Sequence, residues 1–265
     1  MKDVIVVTGA SSGMGRRFVV QIAKKQKADE IWVIARRKDR LEELATEITN
    51  VKIVPVEADL TNPESAEIYR NKLADEKPNV IILANCAGFG KFGHSETISV
   101  GVQLNMIDLN CKAPVFMIDA SLPYMKAGAK IMNICSCAAF QPIPYINDYA
   151  ATKAYLLSYG RALNAELKYR GIHVLSVCPY WTKTEFFDRA VKKGEEPVVI
   201  KYDVMYDADK VMEKAIKDLY NDKKDVSVYG GLNNFQRFLT KILPHKFVMK
   251  VWLNKQKLDG TPKNR

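Results

Sequence analysis

The stretch VIVVTGASSGMGRRFVV, residues 4–20, decides the fold. It begins with VIVV at 4–7, a β-branched run that is typical of a buried strand. The glycine-rich segment TGASSGMG follows at 8–15, and a helical pattern then runs through residues 16–25. Glycines permit a tight turn and a close approach of the backbone to a ligand, and a helix N-terminus offers free N–H groups to a pyrophosphate. The order strand, glycine-rich turn, helix therefore predicts a dinucleotide-binding unit.

The same alternation of short apolar runs and longer helical patterns continues along the chain. Six further runs are predicted strands: IWVIA at 31–35, VKIVPV at 51–56, NVIILA at 79–84, KIMNIC at 130–135, HVLSVC at 173–178 and DVSVY at 225–229. Apolar runs with little alternation indicate strands buried on both faces, joined by helical crossovers. The sequence predicts an α/β fold, a Rossmann-type doubly wound parallel sheet in a single domain.

Within that domain we expect two parts. Residues 1–230 would form the catalytic portion, with an irregular substrate loop at about 185–206, and residues 231–265 a basic amphipathic C-terminal extension. The net charge is +10, and the extension carries eight basic residues against one acid, Asp259. Because the remainder is nearly balanced and has no nucleic-acid-binding motif, no nucleic acid partner is expected.

Other composition features concern location and metals. The apolar runs are too short to span a bilayer, and a strand begins almost at the first residue, which leaves no room for a secretory signal. A cytoplasmic location is therefore expected. The five cysteines should stay reduced, and the three histidines are scattered rather than clustered, so neither a disulfide nor a metal site is predicted.

The residues after the second predicted strand indicate which dinucleotide is bound. NAD-binding folds place an acid about 20 residues after the last glycine, where it contacts the adenosine ribose. Here Ala35 stands at that point, followed by Arg36 and Arg37. Two guanidiniums without a repelling carboxylate favour the 2′-phosphate of NADP(H). The alternative is that both arginines are merely solvated at the start of the next helix.

Tyrosine–lysine pairs with a spacing of four recur in the second half of the chain. The Y-x-x-x-K pattern occurs three times, as Tyr149/Lys153, Tyr206/Lys210 and Tyr220/Lys224. Only the first follows a serine, Ser136, by thirteen residues and opens a long helix. Residues four apart share one face of a helix, so the ammonium of Lys153 can act on the Tyr149 phenol. Together with the oxidised nicotinamide of the bound cofactor, this charge is expected to bring the pKa of the phenol towards its working range near neutrality.

With these motifs the chain resembles the short-chain dehydrogenase/reductase family over about residues 4–229, and in particular its hydroxysteroid dehydrogenase-like and DltE-like members. The motifs are TGASSGMG at 8–15, Asp59 in ADL, NCAG at 85–88, Asn110 in DLN, Ser136 in NICSC, YAATK at 149–153 and CPYWTKT at 178–184. The resemblance implies an NADP(H)-dependent oxidoreductase that interconverts a carbonyl and a secondary alcohol. An extended-type epimerase would need a longer substrate domain, and a noncatalytic NADPH-binding regulatory protein remains the alternative.

The resemblance also implies residue roles. Tyr149 would be the proton donor and acceptor, Ser136 would bind the substrate oxygen, Lys153 would hold the nicotinamide ribose, and Asn110 would fix a relay water. The expected cofactor contacts are Gly9, Ser11, Ser12, Gly13, Met14, Gly15, Arg36, Arg37, Asp59, Leu60, Asn85, Ala87, Gly88, Tyr149, Lys153, Pro179, Thr182 and Thr184. Two residues depart from the family pattern: Tyr180 replaces the usual glycine after the proline, and Ser12 stands where NADP enzymes are often basic.

The resemblance also implies that a set of largely aromatic residues lies near the pocket mouth, which favours a bulky apolar substrate such as a steroid, a fatty acyl derivative or an aromatic carbonyl. The expected pocket residues are Phe140, Pro142, Ile143, Tyr145, Tyr180, Trp181, Phe186 and Phe187. The alternative is that half of them only support the core.

The C-terminal extension has the spacing of an amphipathic helix. Its apolar residues are Phe235, Phe238, Leu239, Ile242 and Leu243, followed by the helix breaker Pro244 and by a second cluster, Phe247, Val248, Val251 and Trp252. Two hypotheses follow: contact with an anionic membrane surface, or packing on the pocket rim or on a partner subunit. A homodimer or homotetramer is expected.

Overall fold

Seven parallel strands form one sheet in the order β3-β2-β1-β4-β5-β6-β7. The structure is a computed structural model that describes residues 1–191 and 197–258. The strands are β1 (Asp3–Thr8), β2 (Glu30–Ala35), β3 (Lys52–Glu57), β4 (Asn79–Asn85), β5 (Lys130–Ile134), β6 (His173–Val177) and β7 (Val226–Ser227). Every predicted strand is present, and the order reverses between β1 and β4, so the predicted doubly wound parallel sheet is confirmed.

Helices cover both faces of the sheet. They are α1 (Gly13–Lys25), α2 (Lys38–Glu47), α3 (Pro63–Glu76), α4 (Val100–Ile107), α5 (Ala113–Ser121), α6 (Asn147–Glu166), α7 (Phe186–Ala190), α8 (Ala208–Leu219), α9 (Gly231–Ile242) and α10 (His245–Gln256). Helices α1, α2 and α8 bury one core against alternate strand residues such as Ile5 and Val7. Helices α3, α5 and α6 bury a second core against Val4 and Val6 on the opposite face.

Local sequence signals explain where several helices begin. Asn62 accepts a hydrogen bond from the Glu64 N–H at 2.9 Å, and Pro63 occupies the first position of α3. Asp207 accepts from the Asp209 N–H at 2.9 Å and so caps α8. These side chains satisfy N–H groups that the first helical turn leaves without partners.

Several features differ from the predicted boundaries, including β6, which ends at Val177, one residue before its predicted end. Strand β5 ends at Ile134, one residue before the predicted end, and β7 is reduced to Val226–Ser227. The expected irregular loop at 185–206 contains the short helix α7, while residues 192–196 of that prediction lie outside the described residues. The sequence could not show these ends, because they depend on which neighbouring strand remains to be paired.

The C-terminal residues form helices α9 and α10, which are separated at Leu243 and Pro244, where the sequence predicted a break. Within residues 1–191 and 197–258, no helix combines the length and hydrophobicity that a bilayer crossing requires. The last residues of the predicted extension, 259–265, lie outside the described residues.

Candidate active site

The glycine-rich turn joins two parts of the predicted cofactor site. Gly9 has φ of +66°, and a Cβ atom there would lie 2.7 Å from the Ala87 Cα atom, so only glycine fits. The Thr8 hydroxyl accepts hydrogen bonds from the Cys86 and Ala87 N–H groups at 3.0 and 3.1 Å. These contacts bring the end of β1 against the segment that follows β4, at the carboxyl edge of the sheet.

A cleft of about 860 Å³ opens at this edge. All of the predicted cofactor-binding residues line it except Asn85. Asn85 is 2% exposed, and its amide donates to the Asn133 Oδ1 atom at 2.9 Å. Since Asn85 still belongs to β4, its side chain pairs with the neighbouring strand β5 behind the cleft wall. The structure therefore gives Asn85 a supporting position, and not the place on the wall that the sequence predicted.

Both predicted phosphate-binding arginines lie at the cleft, and both contact carboxylates. Arg37 donates to the Ser11 hydroxyl at 3.2 Å and to Glu185 at 3.0 Å, while Arg36 lies 3.7 Å from Asp59. Burial by itself would raise the pKa of Asp59, but hydrogen bonds from the neighbouring Thr61 and the charge of Arg36 hold it below its ordinary value. The arginines are therefore not simply solvated.

Tyr149 and Lys153 lie on one face of α6 as predicted from their spacing, with the Lys153 Nζ atom 5.8 Å from the Tyr149 ring centroid. Lys153 is 3% exposed and donates to the Ile134 carbonyl at 2.7 Å. Burial lowers the pKa of Lys153. Burial also raises the pKa of Tyr149, although a hydrogen bond with Ser136 acts in the opposite direction. In the protein alone desolvation therefore outweighs the favourable contacts, while the lowered pKa that the sequence predicts for Tyr149 with oxidised nicotinamide bound stays a prediction.

Ser136 reaches the cleft because β5 has already ended. It begins a 3₁₀ turn, Cys137–Phe140, and its hydroxyl accepts from the Ala138 N–H at 3.1 Å. A continued strand would have directed Cys135 and Cys137 away from Ser136, but the turn brings both cysteines to the cleft as well. Burial raises the pKa of Cys137 to about 12, which keeps this thiol protonated near neutrality.

Asn110 lies behind the cleft and shapes its wall. It sits in a π-helical turn, Asp108–Lys112, is 0% exposed, and its amide exchanges two hydrogen bonds with the backbone of Phe89, at 2.8 and 3.1 Å. It also donates to the Thr152 hydroxyl at 3.0 Å. A Cβ atom at Gly88 would lie 2.9 Å from the Asn110 Oδ1 atom and 3.2 Å from the Lys153 Nζ atom. Asn110 thus fixes the segment 88–89 directly against the buried lysine.

The part of the cleft beside Tyr149 is largely aromatic. Ile143, Tyr180, Trp181, Phe186 and Phe187 line it, as the sequence predicted. The other three predicted pocket residues lie elsewhere: Phe140 packs beneath the Arg237 guanidinium at 5.3 Å, Tyr145 packs on the His94 ring at 4.6 Å, and Pro142 is exposed. Of these three, only Phe140 packs against a core cluster, as the alternative predicted, whereas Pro142 is exposed and does not support the core.

The sequence analysis missed two residues of the site. They are Gly90, which lies beside Tyr149, and Arg189, which lies at the cleft wall. A Cβ atom at Gly90 would lie 2.7 Å from the Phe186 ring and 3.0 Å from the Tyr149 ring, so glycine lets Phe186 pack against Tyr149. The Arg189 guanidinium lies 3.4 Å from the centroid of the Phe89 ring, at the cleft wall. Arg189 lies in α7, within a segment that the sequence analysis expected to be irregular, so no spacing pattern singled it out.

The C-terminal helices form a third side of the cleft. From α9 the lining residues are Gln236, Leu239 and Thr240, joined by Leu243, and from α10 they are Phe247, Val248, Val251, Trp252 and Lys255. The Trp252 indole donates to the Pro144 carbonyl at 3.0 Å, and the Gln256 side chain accepts from the Ile200 and Lys201 N–H groups at 3.0 and 2.9 Å. Of the two hypotheses for the tail, packing on the pocket rim describes these side chains.

The remaining tyrosine–lysine pairs lie away from the cleft lining. Tyr206 packs its ring edge-on against Tyr229 at 5.2 Å, and the Tyr220 hydroxyl donates to the Gln26 side chain at 2.6 Å. Of the three Y-x-x-x-K patterns, the structure brings only Tyr149 and Lys153 together with Ser136.

Comparisons with known proteins agree with this geometry. The family model "short chain dehydrogenase" matches residues 3–195. An uncharacterized oxidoreductase of Staphylococcus epidermidis is 32% identical over 180 residues, covering 67% of this chain and 77% of that protein. The 11-beta-hydroxysteroid dehydrogenase 1A of Arabidopsis thaliana is 29% identical over 206 residues, covering 76% of this chain and 58% of that protein.

Among solved structures, a short-chain dehydrogenase from Sphingobium yanoikuyae in complex with NADPH superposes with a TM-score of 0.76. It is 25% identical in sequence, and the match covers 91% of this chain and 96% of that one. The fold, the cleft at the switch point of the sheet and the family match lead to the same result. The chain belongs to the short-chain dehydrogenase/reductase family and is an NAD(P)-dependent oxidoreductase.

Proposed function

We propose that this protein is an NADP(H)-dependent enzyme that interconverts a carbonyl and a secondary alcohol on a bulky apolar substrate, with Tyr149 as general acid and base. The observation that carries the proposal is the cluster of Ser136, Tyr149 and Lys153 on the wall of one cleft. Ser136 lowers the pKa of Tyr149 there, against the larger effect of burial, and the Lys153 Nζ atom lies 5.8 Å from the centroid of the phenol ring.

The cleft fits NADP(H) in shape and charge. Within the described chain, Ser12 makes no side-chain capping bond to α1, which leaves first-turn N–H groups to a pyrophosphate. Ala35 replaces the ribose-binding acid, and Arg36, Arg37 and Ser11 lie where a 2′-phosphate would be held. The relative from Sphingobium yanoikuyae, which binds NADPH, supports the same choice. The bound cofactor would supply or accept a hydride at the carbonyl carbon.

The chain's own residues move the proton. The Ser136 and Tyr149 hydroxyls would bind the carbonyl oxygen, and in reduction Tyr149 donates its proton to that oxygen. Burial raises the pKa of Tyr149, so the phenol is protonated at neutral pH and is ready to act as a donor. The Lys153 ammonium stabilises the phenolate that remains. In oxidation the same groups act in reverse, and Tyr149 removes the hydroxyl proton.

An apolar substrate follows from the remaining walls of the cleft. Aromatic rings from α7 and from residues 180–181 face aliphatic and aromatic side chains of α9 and α10. The cleft extends beyond the residues assigned to the cofactor, and the apolar side chains of this extension suit a bulky ketone. The similarity to an 11-beta-hydroxysteroid dehydrogenase supports this substrate class.

A panel of ketones and aldehydes tests the proposal, with consumption of NADPH and of NADH followed by absorbance. We expect turnover with NADPH in preference to NADH, and higher kcat/KM for bulky apolar ketones than for small polar aldehydes. NADPH binding without turnover on any carbonyl would instead support a noncatalytic regulatory protein. Faster turnover with NADH would contradict the assignment of Arg36 and Arg37.

We also propose that the protein forms a homodimer or homotetramer. Val100, Leu104 and Ile107 on α4, and Tyr155 on α6, are exposed apolar side chains on two helices that pack together. Such a patch is suited to an interface between copies of the chain. Sedimentation equilibrium of the full chain would measure the assembly, and a monomer at all concentrations would contradict it.

A further inference from the structure

Helix α9 packs against the protein with its polar side. Asn233 and Thr240 are buried, at 1% and 8% exposure, and the Asn233 amide donates to the Tyr229 carbonyl at 2.6 Å. The apolar residues of the helix point outward: Leu232, Phe235, Phe238 and Ile242 are 52 to 60% exposed. An amphipathic helix in a protein surface ordinarily buries its apolar stripe. The orientation of α9 is therefore the reverse of the ordinary one, and within residues 1–191 and 197–258 its apolar stripe is left available to a partner.

Helix α10 extends the exposed apolar surface. Trp252 and Gln256 anchor its inner side, while Phe247 and Val251 remain 54% and 50% exposed. We call the exposed residues Leu232, Phe235, Phe238, Ile242, Phe247 and Val251 the C-terminal apolar face. Leu239 lies on the same side of α9 as Phe235 and Ile242, and it lines the cleft together with Phe247 and Val251. The face is thus continuous with the cleft mouth.

The charge around the C-terminal apolar face indicates which kind of partner it can bind. Residues 231–258 contain six basic residues and no acidic one. Lys241, Lys246 and Lys250 are exposed, whereas Lys255 pairs with Asp203. In a two-fold dimer through this face, each positive region would meet its own copy, which is unfavourable. The complementary surface is therefore anionic as well as apolar.

We propose that the C-terminal apolar face docks on an anionic lipid bilayer, with α9 and α10 lying on the membrane and the cleft mouth beside it. Phenylalanine and aliphatic side chains would enter the boundary between headgroups and acyl chains, and the flanking lysines would contact anionic headgroups. Each helix has twelve residues, too few to cross a bilayer. Docking here would open the cleft to apolar molecules dissolved in the membrane. The proposal concerns binding alone and does not depend on which substrate is turned over.

Co-sedimentation of the full chain with vesicles tests it, using phosphatidylcholine alone and an equal mixture of phosphatidylcholine and phosphatidylglycerol. We expect binding to the mixed vesicles at low salt, weakened by added salt. The double variant Phe235→Ser, Phe238→Ser should reduce this binding at least about tenfold, because two exposed rings no longer enter the lipid. The matched control Ile68→Ser, Tyr169→Ser changes exposed apolar residues elsewhere and should bind as the wild type does.

Charge reversal provides a second, independent comparison. The double variant Lys241→Glu, Lys246→Glu should lose most vesicle binding. The control is the double variant Lys126→Glu, Lys168→Glu, which changes the net charge by the same amount at the opposite end of the sheet and should retain vesicle binding. Circular dichroism confirms that each variant is folded. The proposal is overturned if the wild type does not bind mixed vesicles at low salt, or if both controls lose as much binding as the test variants. It is also overturned if the Phe235, Phe238 variant changes only the sedimentation coefficient, since that result assigns the face to a second copy of the chain.

Discussion

The two long walls of the cleft are built in different ways. On the cofactor wall, backbone groups at the ends of strands are held by hydrogen bonds, such as those from Cys86 and Ala87 to the Thr8 hydroxyl. The opposite wall consists of side chains from α7, α9 and α10, which are attached through contacts such as Trp252 with Pro144 and Gln256 with Ile200. The first wall is therefore determined by local backbone geometry, and the second by packing between distant segments.

This difference separates two kinds of function. A backbone cradle with fixed charges suits a dinucleotide and the proton transfer, which demand accurate placement. A wall of apolar side chains suits discrimination among substrates by size and shape. We therefore expect substitutions on the cofactor wall to affect chemistry and cofactor choice, and substitutions on the opposite wall to affect substrate affinity.

The largest effect is expected at the reaction centre on the cofactor wall. Tyr149→Phe keeps the ring that packs against Phe92 and Phe186 but removes the hydroxyl that carries the proton. We expect kcat/KM to fall at least about a hundredfold, as for the loss of a general acid, while NADPH still binds. Steady-state turnover and a fluorescence titration with NADPH measure the two properties.

Tyr206→Phe is the matched control, since Tyr206 belongs to another Y-x-x-x-K pair and lies outside the cleft lining. It should leave turnover close to that of the wild type. Retained activity in the Tyr149 variant together with loss in the Tyr206 variant would show that the reaction centre is assigned to the wrong pair.

A smaller effect is expected when the positive charges of the cofactor wall are removed. The double variant Arg36→Ala, Arg37→Ala removes both guanidiniums beside Ser11 and Asp59, and charge-assisted hydrogen bonds contribute about 1.5 to 3 kcal/mol each. The ratio of NADPH to NADH affinity should fall at least about tenfold, as measured by binding titrations with both cofactors. Lys38→Ala, Arg40→Ala removes two exposed charges on the neighbouring helix α2 and should leave the ratio unchanged. An equal loss for both cofactors would give the arginines a structural role only.

The sequence predicts the cofactor wall well because its signals are local. The run VIVV before TGASSGMG, and Ala35 before Arg36, depend only on residues that are near one another in the chain. The spacing of Tyr149 and Lys153 likewise places both on one face of a helix without reference to the remainder of the fold.

Other properties of the site depend on distant segments and were not predicted. Burial raises the pKa of Tyr149 in the protein alone, and the position of Asn110 depends on a π-helical turn that packs on Phe89. Glu185 pairs with Arg37 across 148 residues of sequence. Burial and pairing of this kind are tertiary effects, so no spacing pattern reports them.

Helices α8 and α9 show that the sequence is equally limited in predicting the opposite wall. Both are twelve residues long with a distinct apolar stripe, but α8 buries Val211, Met212 and Ile216 in the core, while α9 turns Phe235 and Phe238 outward. An amphipathic pattern shows that one face is apolar, but it does not show what covers that face.

The smallest effect is expected on the opposite wall, where Leu239 and Ile242 lie on one helix but differ in their surroundings. Leu239 lines the cleft, whereas Ile242 is 60% exposed. Leu239→Ala removes part of a half-buried apolar contact with a bulky ketone, about 1 kcal/mol, which corresponds to a rise in KM of about fivefold. Because Leu239 would contact the substrate and the transition state equally, its loss leaves kcat unchanged. Ile242→Ala should change neither kcat nor KM in an aqueous assay without vesicles. Equal effects from both variants would mean that α9 acts on the cleft through its overall position, and a fall in kcat for Leu239→Ala alone would place this residue in the chemistry of the cofactor wall.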